Sequence, residues 1–252
     1  MHKILTIARY TLREATRTQL PLQAAVAAGL LLAASLLVRE LAITDSLRLQ
    51  TTFLAAGGRV LAAFITTAFI ISTLQREFNE RAPQLLLALD LPRGHYVLGK
   101  GLGGLGVATG IALLCALPAL LTAAPGAWLG WAAALVLEQW IIAALALFCG
   151  ISLRSVPAAL LFTLGFYLLA RTMAAIQLIS HASLDAASLS HQYFSRALDV
   201  LALLLPRLDL FAPSVWLVDG RSSSLALLAL QSALYVALLL TATVFDLHRK
   251  NL

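Results

Sequence analysis

Residues 128–151 read WLGWAAALVLEQWIIAALALFCGI, 24 positions with a single charged side chain, Glu138. About 20 predominantly apolar residues suffice for a helix to cross the hydrocarbon core of a bilayer, so this stretch is long enough to span. Working outward from it, five more apolar stretches appear: Leu22 to Val38, Val60 to Leu74, Leu102 to Leu121, Ala158 to Ser180 and Leu225 to Phe245. The second is short at its outer end unless Phe53 to Gly58 joins it, and Arg59 is then placed to snorkel to that interface. Across all 252 residues, 60% are hydrophobic and 12% charged, against about 25% charged in soluble domains. Six crossings leave no room for a separate soluble catalytic domain. The expected fold class is therefore an all-α integral membrane protein, one transmembrane domain over residues 1–252.

The excess of 18 Lys and Arg over 12 Asp and Glu is read by position, because loop basicity in such a chain reports topology first. With both termini in the cytoplasm of a cell whose inner membrane holds the chain, the inner side carries Lys3, Arg9, Arg13, Arg17, Arg76, Arg81, Arg93, Lys100, Arg154, Arg249 and Lys250. The other side or its crossings carry Arg39, Arg48, Arg59, Arg171, Arg196, Arg207 and Arg221. The bias points one way, and it makes nucleic-acid binding a poor inference. Cys115 and Cys149 lie inside apolar runs, which argues for packing rather than a disulfide framework.

Outside the crossings, three segments have a pattern. In residues 1–19, Arg9, Arg13 and Arg17 recur every fourth position while Ile4, Ile7, Ala8, Leu12 and Ala15 line another face, as in an amphipathic interfacial helix. A cleavable signal peptide is the competing reading of this segment. Residues 75–100 mix four basic residues with Glu77, Glu80 and Asp90 around Leu85, Leu86, Leu87 and Leu89. Pro83 can start a short helix there and Pro92 can end it. In residues 181–221, Phe194, Leu198, Leu201 and Leu205 share one face of a second amphipathic helix, which Pro206 and Pro213 break. Trp216 suits an interfacial belt, and Ser222 to Ser224 offer capping hydroxyls to the last crossing.

Several motifs lose their function on inspection. Gly101, Gly103 and Gly106 spell G-x-G-x-x-G, but no strand precedes them. Gly94 to Gly101 nearly spells a phosphate loop, except that Gly101 stands where a hydroxyl must reach magnesium. The chain is thus expected to hold no ATP, magnesium or other cofactor itself. The spacing of Gly99 with Gly103 and of Gly106 with Gly110 suits close helix packing. His181 and His191 lack the carboxylate cluster of a metal site, and no nucleophilic relay is visible, so no catalytic residue is assigned and the chain is read as not an enzyme.

Glu138 is the costly residue, at about 2.5 to 3.5 kcal/mol for an acid near a crossing's centre. It needs a partner. Crossings four and five are joined by a short turn around Arg154 and Pro157, and residues equidistant from the turn of an antiparallel hairpin lie level. Glu138 and Arg171 are so placed, and an intramembrane ion pair between them is expected.

At Gln75 to Lys100 the sequence resembles the membrane subunits of type-2 ABC exporters, through Arg76-Glu77, Leu85-Leu86, Leu89, Pro92-Arg93, Tyr96 and Leu98-Gly99-Lys100. The basic amphipathic first helix, six crossings and an external helical segment before the last crossing are similar to that family too. Where its members usually have Gly-Thr or Gly-Ser, this chain has Ala82-Pro83. The resemblance implies a permease whose 75–100 segment carries a coupling helix docked on two copies of a cytosolic ATPase, with Glu77, Glu80, Arg81 and Arg93 as polar contacts and Leu85, Leu86 and Leu89 as apolar anchor. It also implies a second permease subunit, either a copy or a related chain, and a lipid-like or other amphipathic cargo. Membrane lipids and an external accessory protein are further partners in this reading. Two other readings stand beside it: an ATP-independent proton-coupled carrier or channel using Glu138, and, more weakly, an intramembrane lipid-modifying enzyme.

Overall fold

The computed structural model describes residues 2–43, 45–80, 93–153, 155–182, 189–220 and 224–249. Its helices are α1 (His2–Arg17), α2 (Leu20–Leu41), α3 (Ser46–Asn79), α4 (Arg93–Ala116), α5 (Pro125–Ser152), α6 (Val156–Ala182), α7 (Leu189–Leu204), α8 (Val215–Asp219) and α9 (Leu225–Arg249). Single turns of 3-10 helix follow α4 at Leu117–Leu121 and separate α7 from α8 at Leu208–Leu210. No strand occurs among the described residues. Six helices are long and apolar enough to cross a membrane: α2, α3, α4 with its 3-10 extension, α5, α6 and α9. The protein is an all-α, multi-pass membrane protein in its architecture.

α5 is the hub. It has the largest buried share of the six spans, with α3, α4, α6 and α9 packed around it, because its sequence is apolar on every side rather than on one stripe. α2 lies outside against α3, and α1 runs alongside the first half of α4. Two cores result. One, around Leu74, Tyr96, Leu147 and Leu247, sits at the end of the bundle that carries α1 and the end of α9, here called the terminal face. The other, around Trp131, Leu135, Tyr167 and Phe211, sits toward the opposite face.

Three elements differ from the sequence expectation. α3 begins at Ser46 instead of near Val60 and continues as a 34-residue helix, since Leu47, Leu49, Phe53 and Leu54 extend its apolar surface outward. The described ends of the 75–100 segment belong to its flanking crossings: Gln75 to Asn79 complete α3, and Arg93 to Lys100 begin α4. The proposed helix from Pro83 to Asp90, with Arg81, Leu85, Leu86 and Leu89, lies outside the described residues. Third, the chain after α7 does not stay at the surface. It bends by 66° between α7 and the Leu208–Asp219 segment and buries Leu208, Phe211, Ala212, Trp216 and Leu217 against the bundle. Trp216, expected in an interfacial belt, is 6% exposed. Pro206 and Pro213 keep this stretch out of a continuous α-helix; within it a 3-10 turn pairs the Leu208 carbonyl with the Phe211 N–H, and carbonyls of the stretch turn inward.

Candidate functional site

Arg59, Glu138 and Arg171 come from three different crossings at one depth. Counted from the ends opposite the terminal face, Arg59 is 13 residues into α3, Glu138 is 13 into α5 and Arg171 is 11 from the end of α6. At 1.5 Å per residue each lies about 16 to 20 Å along its helix, near mid-bilayer. Glu138 is fully buried. Arg171 Nη1 donates to Glu138 Oε1 at 3.2 Å, to the Leu208 carbonyl at 2.5 Å and to the Phe211 carbonyl at 2.9 Å. Arg59 Nη1 donates to the Ala212 carbonyl at 2.6 Å. The same oxygen accepts the Trp131 indole N–H at 2.7 Å.

Two guanidinium charges against one carboxylate leave a surplus positive charge in a low-dielectric interior. The three inward-turned carbonyls direct the negative ends of their dipoles at that surplus, which is how an arginine is tolerated at membrane depth. Ala212 bears a conformational cost for this, with φ at +43° in the left-handed region, about 1–2 kcal/mol for a residue with a Cβ. The strain aims its oxygen at Arg59 and Trp131. Glu138 Oε2 has no partner of ordinary hydrogen-bond geometry, although the Tyr167 phenol is placed to interact with the carboxylate. The adjacent Gln139 side chain, also fully buried, has no hydrogen-bond partner for either amide atom among the described residues.

The structure thus brings Glu138 and Arg171 together, and adds what the sequence reading missed. Arg59 does not snorkel; at 9% exposure it is an interior residue, because α3 extends well beyond it. The hairpin argument could pair only adjacent crossings, whereas Arg59 lies on a third helix and its acceptor is 153 residues away. Pro206 and Pro213 were the visible signal: two helix breakers seven residues apart bracket the segment whose carbonyls are used.

A second polar cluster sits at the terminal face. Glu14 of α1 forms an ion pair with Arg76 of α3 and lies 3.8 Å from Lys100 Nζ of α4. Lys100 also pairs with Glu77, whose other oxygen accepts the Tyr96 hydroxyl at 2.8 Å. Lys100 is 6% exposed, so this network is an internal tie among three helices. The Gln75 amide adds a fourth, donating to the carbonyls of Gly150 and Leu153 at 3.1 and 3.0 Å and closing the end of α5. Of the residues assigned to ATPase contact, Glu77 therefore spends both oxygens inside the bundle. Glu80 caps α3 at an exposed position, and Arg93 heads α4.

The glycines of α4 are where α1 docks. A Cβ on Gly99 would stand 2.8 Å from Ile7 Cβ and 3.0 Å from the Ile4 carbonyl; one on Gly103 would stand 2.7 Å from Thr11 Cβ. Gly106 meets Leu12. Gly110 meets nothing within 4 Å, so the pairing of Gly106 with Gly110 as one packing unit does not hold: a hollow of about 420 Å³ lies between it and Ala15 and Thr16 of α1. Compared with models of known protein families and with curated proteins, the chain matches none.

Proposed function

We propose that the chain is the transmembrane subunit of an ATP-driven exporter of the type-2 ABC class. In this reading it sits in the cell inner membrane with both termini cytoplasmic, pairs with a second permease subunit, and is driven by two copies of a soluble ATPase that holds the ATP and magnesium. Its cargo is lipid-like or otherwise amphipathic. The observation that carries the reading is the course of α3. At the terminal face the helix is tied through Arg76 and Glu77 to α1 and α4, on either side of residues 81–92. Seventeen residues further back, about 26 Å at helical rise, the same unbroken helix holds Ala212 through Arg59. A push on the segment between α3 and α4 would move a rigid rod whose middle grips the bent segment that follows α7. That is the linkage an ATPase-driven rocking of membrane halves requires.

The test is purification of the tagged chain from its host in mild detergent, with mass analysis of the intact complex. An ATPase should travel with it in equal numbers, and Arg81→Glu with Arg93→Glu should release or uncouple it. Arg59→Leu should keep the ATPase bound but lower transport-coupled turnover at least tenfold. A chain that emerges alone, active and indifferent to ATP, removes the proposal. The buried Glu138 carboxylate favours a second reading, a proton-coupled carrier. Its signature is transport that collapses with the proton gradient, survives ATP depletion and is abolished by Glu138→Gln.

A further inference from the structure

Where α1 turns into α2 at Thr18 and Gln19, the bend opens a cleft of about 470 Å³ between α2, α3 and α6. Its lining is mainly apolar, with Leu20, Phe64, Ile65, Phe69 and Leu160; Ser72, Thr73 and Arg76 line its end toward the terminal face, and Gln23 lies deeper on α2. A second hollow of about 320 Å³, lined by Tyr10, Arg13, Glu14 and Arg17, adjoins it and shares Thr18 and Arg76 with it. Together they form one amphipathic trough, basic at the terminal face and greasy toward the bilayer centre.

Its charge and its length both select an occupant. Glu14, the acidic residue in the hollow, is already committed to Arg76 and Lys100. Arg13 and Arg17 are exposed and make no ion pair among the described residues. From Arg76 to Phe64 is twelve residues of α3, about 18 Å, close to the roughly 15 Å depth of one leaflet's hydrocarbon. Phe64 is 53% exposed, so the deep end opens sideways to acyl chains. A soluble anion would use only the basic end, and a neutral lipid only the apolar one.

We infer that the trough binds an anionic phospholipid from the leaflet at the terminal face, with its phosphate among Arg13, Arg17 and Arg76 and one acyl chain along Leu20, Phe69 and Phe64. Basic clusters beside a crossing recognise acidic headgroups in this way. The inference is independent of whether the chain transports anything.

The experiment is native mass spectrometry of the purified full-length chain titrated with phosphatidylglycerol or with phosphatidylcholine of the same acyl chains. One phosphatidylglycerol should bind at least fivefold more tightly than phosphatidylcholine. Arg13→Gln with Arg17→Gln should erase that preference, as should 0.5 M salt acting on the unmodified chain. The charge-matched control Arg48→Gln with Arg207→Gln, at the opposite face, should leave it intact. Glycerol 1-phosphate should not displace the lipid. Equal binding of the two lipids, equal loss in the control, or displacement by glycerol phosphate at lipid-like concentrations would each overturn the inference.

Discussion

A guanidinium inside a bilayer has few ways to be neutralised, and Arg171 uses two at once: the Glu138 carboxylate and the carbonyls of Leu208 and Phe211. This decides which substitutions the site accepts. Glu138→Ala leaves two arginines facing three dipoles with no counter-charge, and breaking a buried pair in this way costs about 3–5 kcal/mol. Thermal unfolding of the purified chain should register that loss, while Glu138→Gln, which also removes the counter-charge but keeps an acceptor oxygen for Arg171, should lose less. Exchanging the charges, Glu138→Arg with Arg171→Glu, should not rescue either single variant, because a carboxylate at position 171 would face carbonyl oxygens. Ala212 gives a sharper residue-scale test. Ala212→Gly removes the left-handed penalty and keeps the carbonyl, so it should be neutral or stabilising by about 1 kcal/mol. Ala212→Val, β-branched at a positive φ and fully buried, should lower the melting temperature and expose Trp131 to aqueous quenchers.

Between elements, packing depends on how closely backbones approach. α1 touches α4 through glycines, and the contacts at Gly99 and Gly103 are already tighter than a Cβ permits. Gly103→Val should therefore push α1 away and cost about 1–3 kcal/mol, whereas Gly110→Val, facing open space, should change little; comparing their melting temperatures checks both. The same element shows what was legible beforehand. The amphipathic face Ile4, Ile7, Ala8 and Ala15 was readable by period, and so was the presence of the glycine spacing, because both are local patterns. That one would dock on the other was not, since nothing periodic links residue 7 to residue 99. The six crossings were readable for the same reason, as was the level pairing of Glu138 with Arg171 across one short turn. Arg59 with Ala212, and Glu14 with Arg76 and Lys100, are tertiary pairings between distant segments, and no single window contains both partners.

At the scale of the whole molecule, one crossing by each of the six long apolar helices would place α1, the α3–α4 junction and the end of α9 on one face, with the α2–α3 turn and α8 on the other. Cys115 and Cys149 are buried, so single cysteines added elsewhere report sidedness without background. Glu80→Cys and Arg249→Cys should react with a membrane-impermeant maleimide from one side only, and Ile43→Cys from the other only. Labelling of all three from the same side would break the six-crossing topology.

The grip of Arg59 on Ala212 also has a meaning in time. A ribosome adding about 5–20 residues per second needs roughly 8 to 30 s to make the 153 residues that separate the arginine from its acceptor. Throughout that interval α3 carries a buried cation whose carbonyl has not yet been synthesised, and α5 then delivers Glu138 before α6 delivers Arg171. The nascent chain must shelter these side chains in the insertion machinery or hold them near the interface until the segment after α7 arrives. Assembly of this bundle is therefore completed from its C-terminal end, and a chain that stops short of Pro206 is born with its charges in hand and nothing to close them.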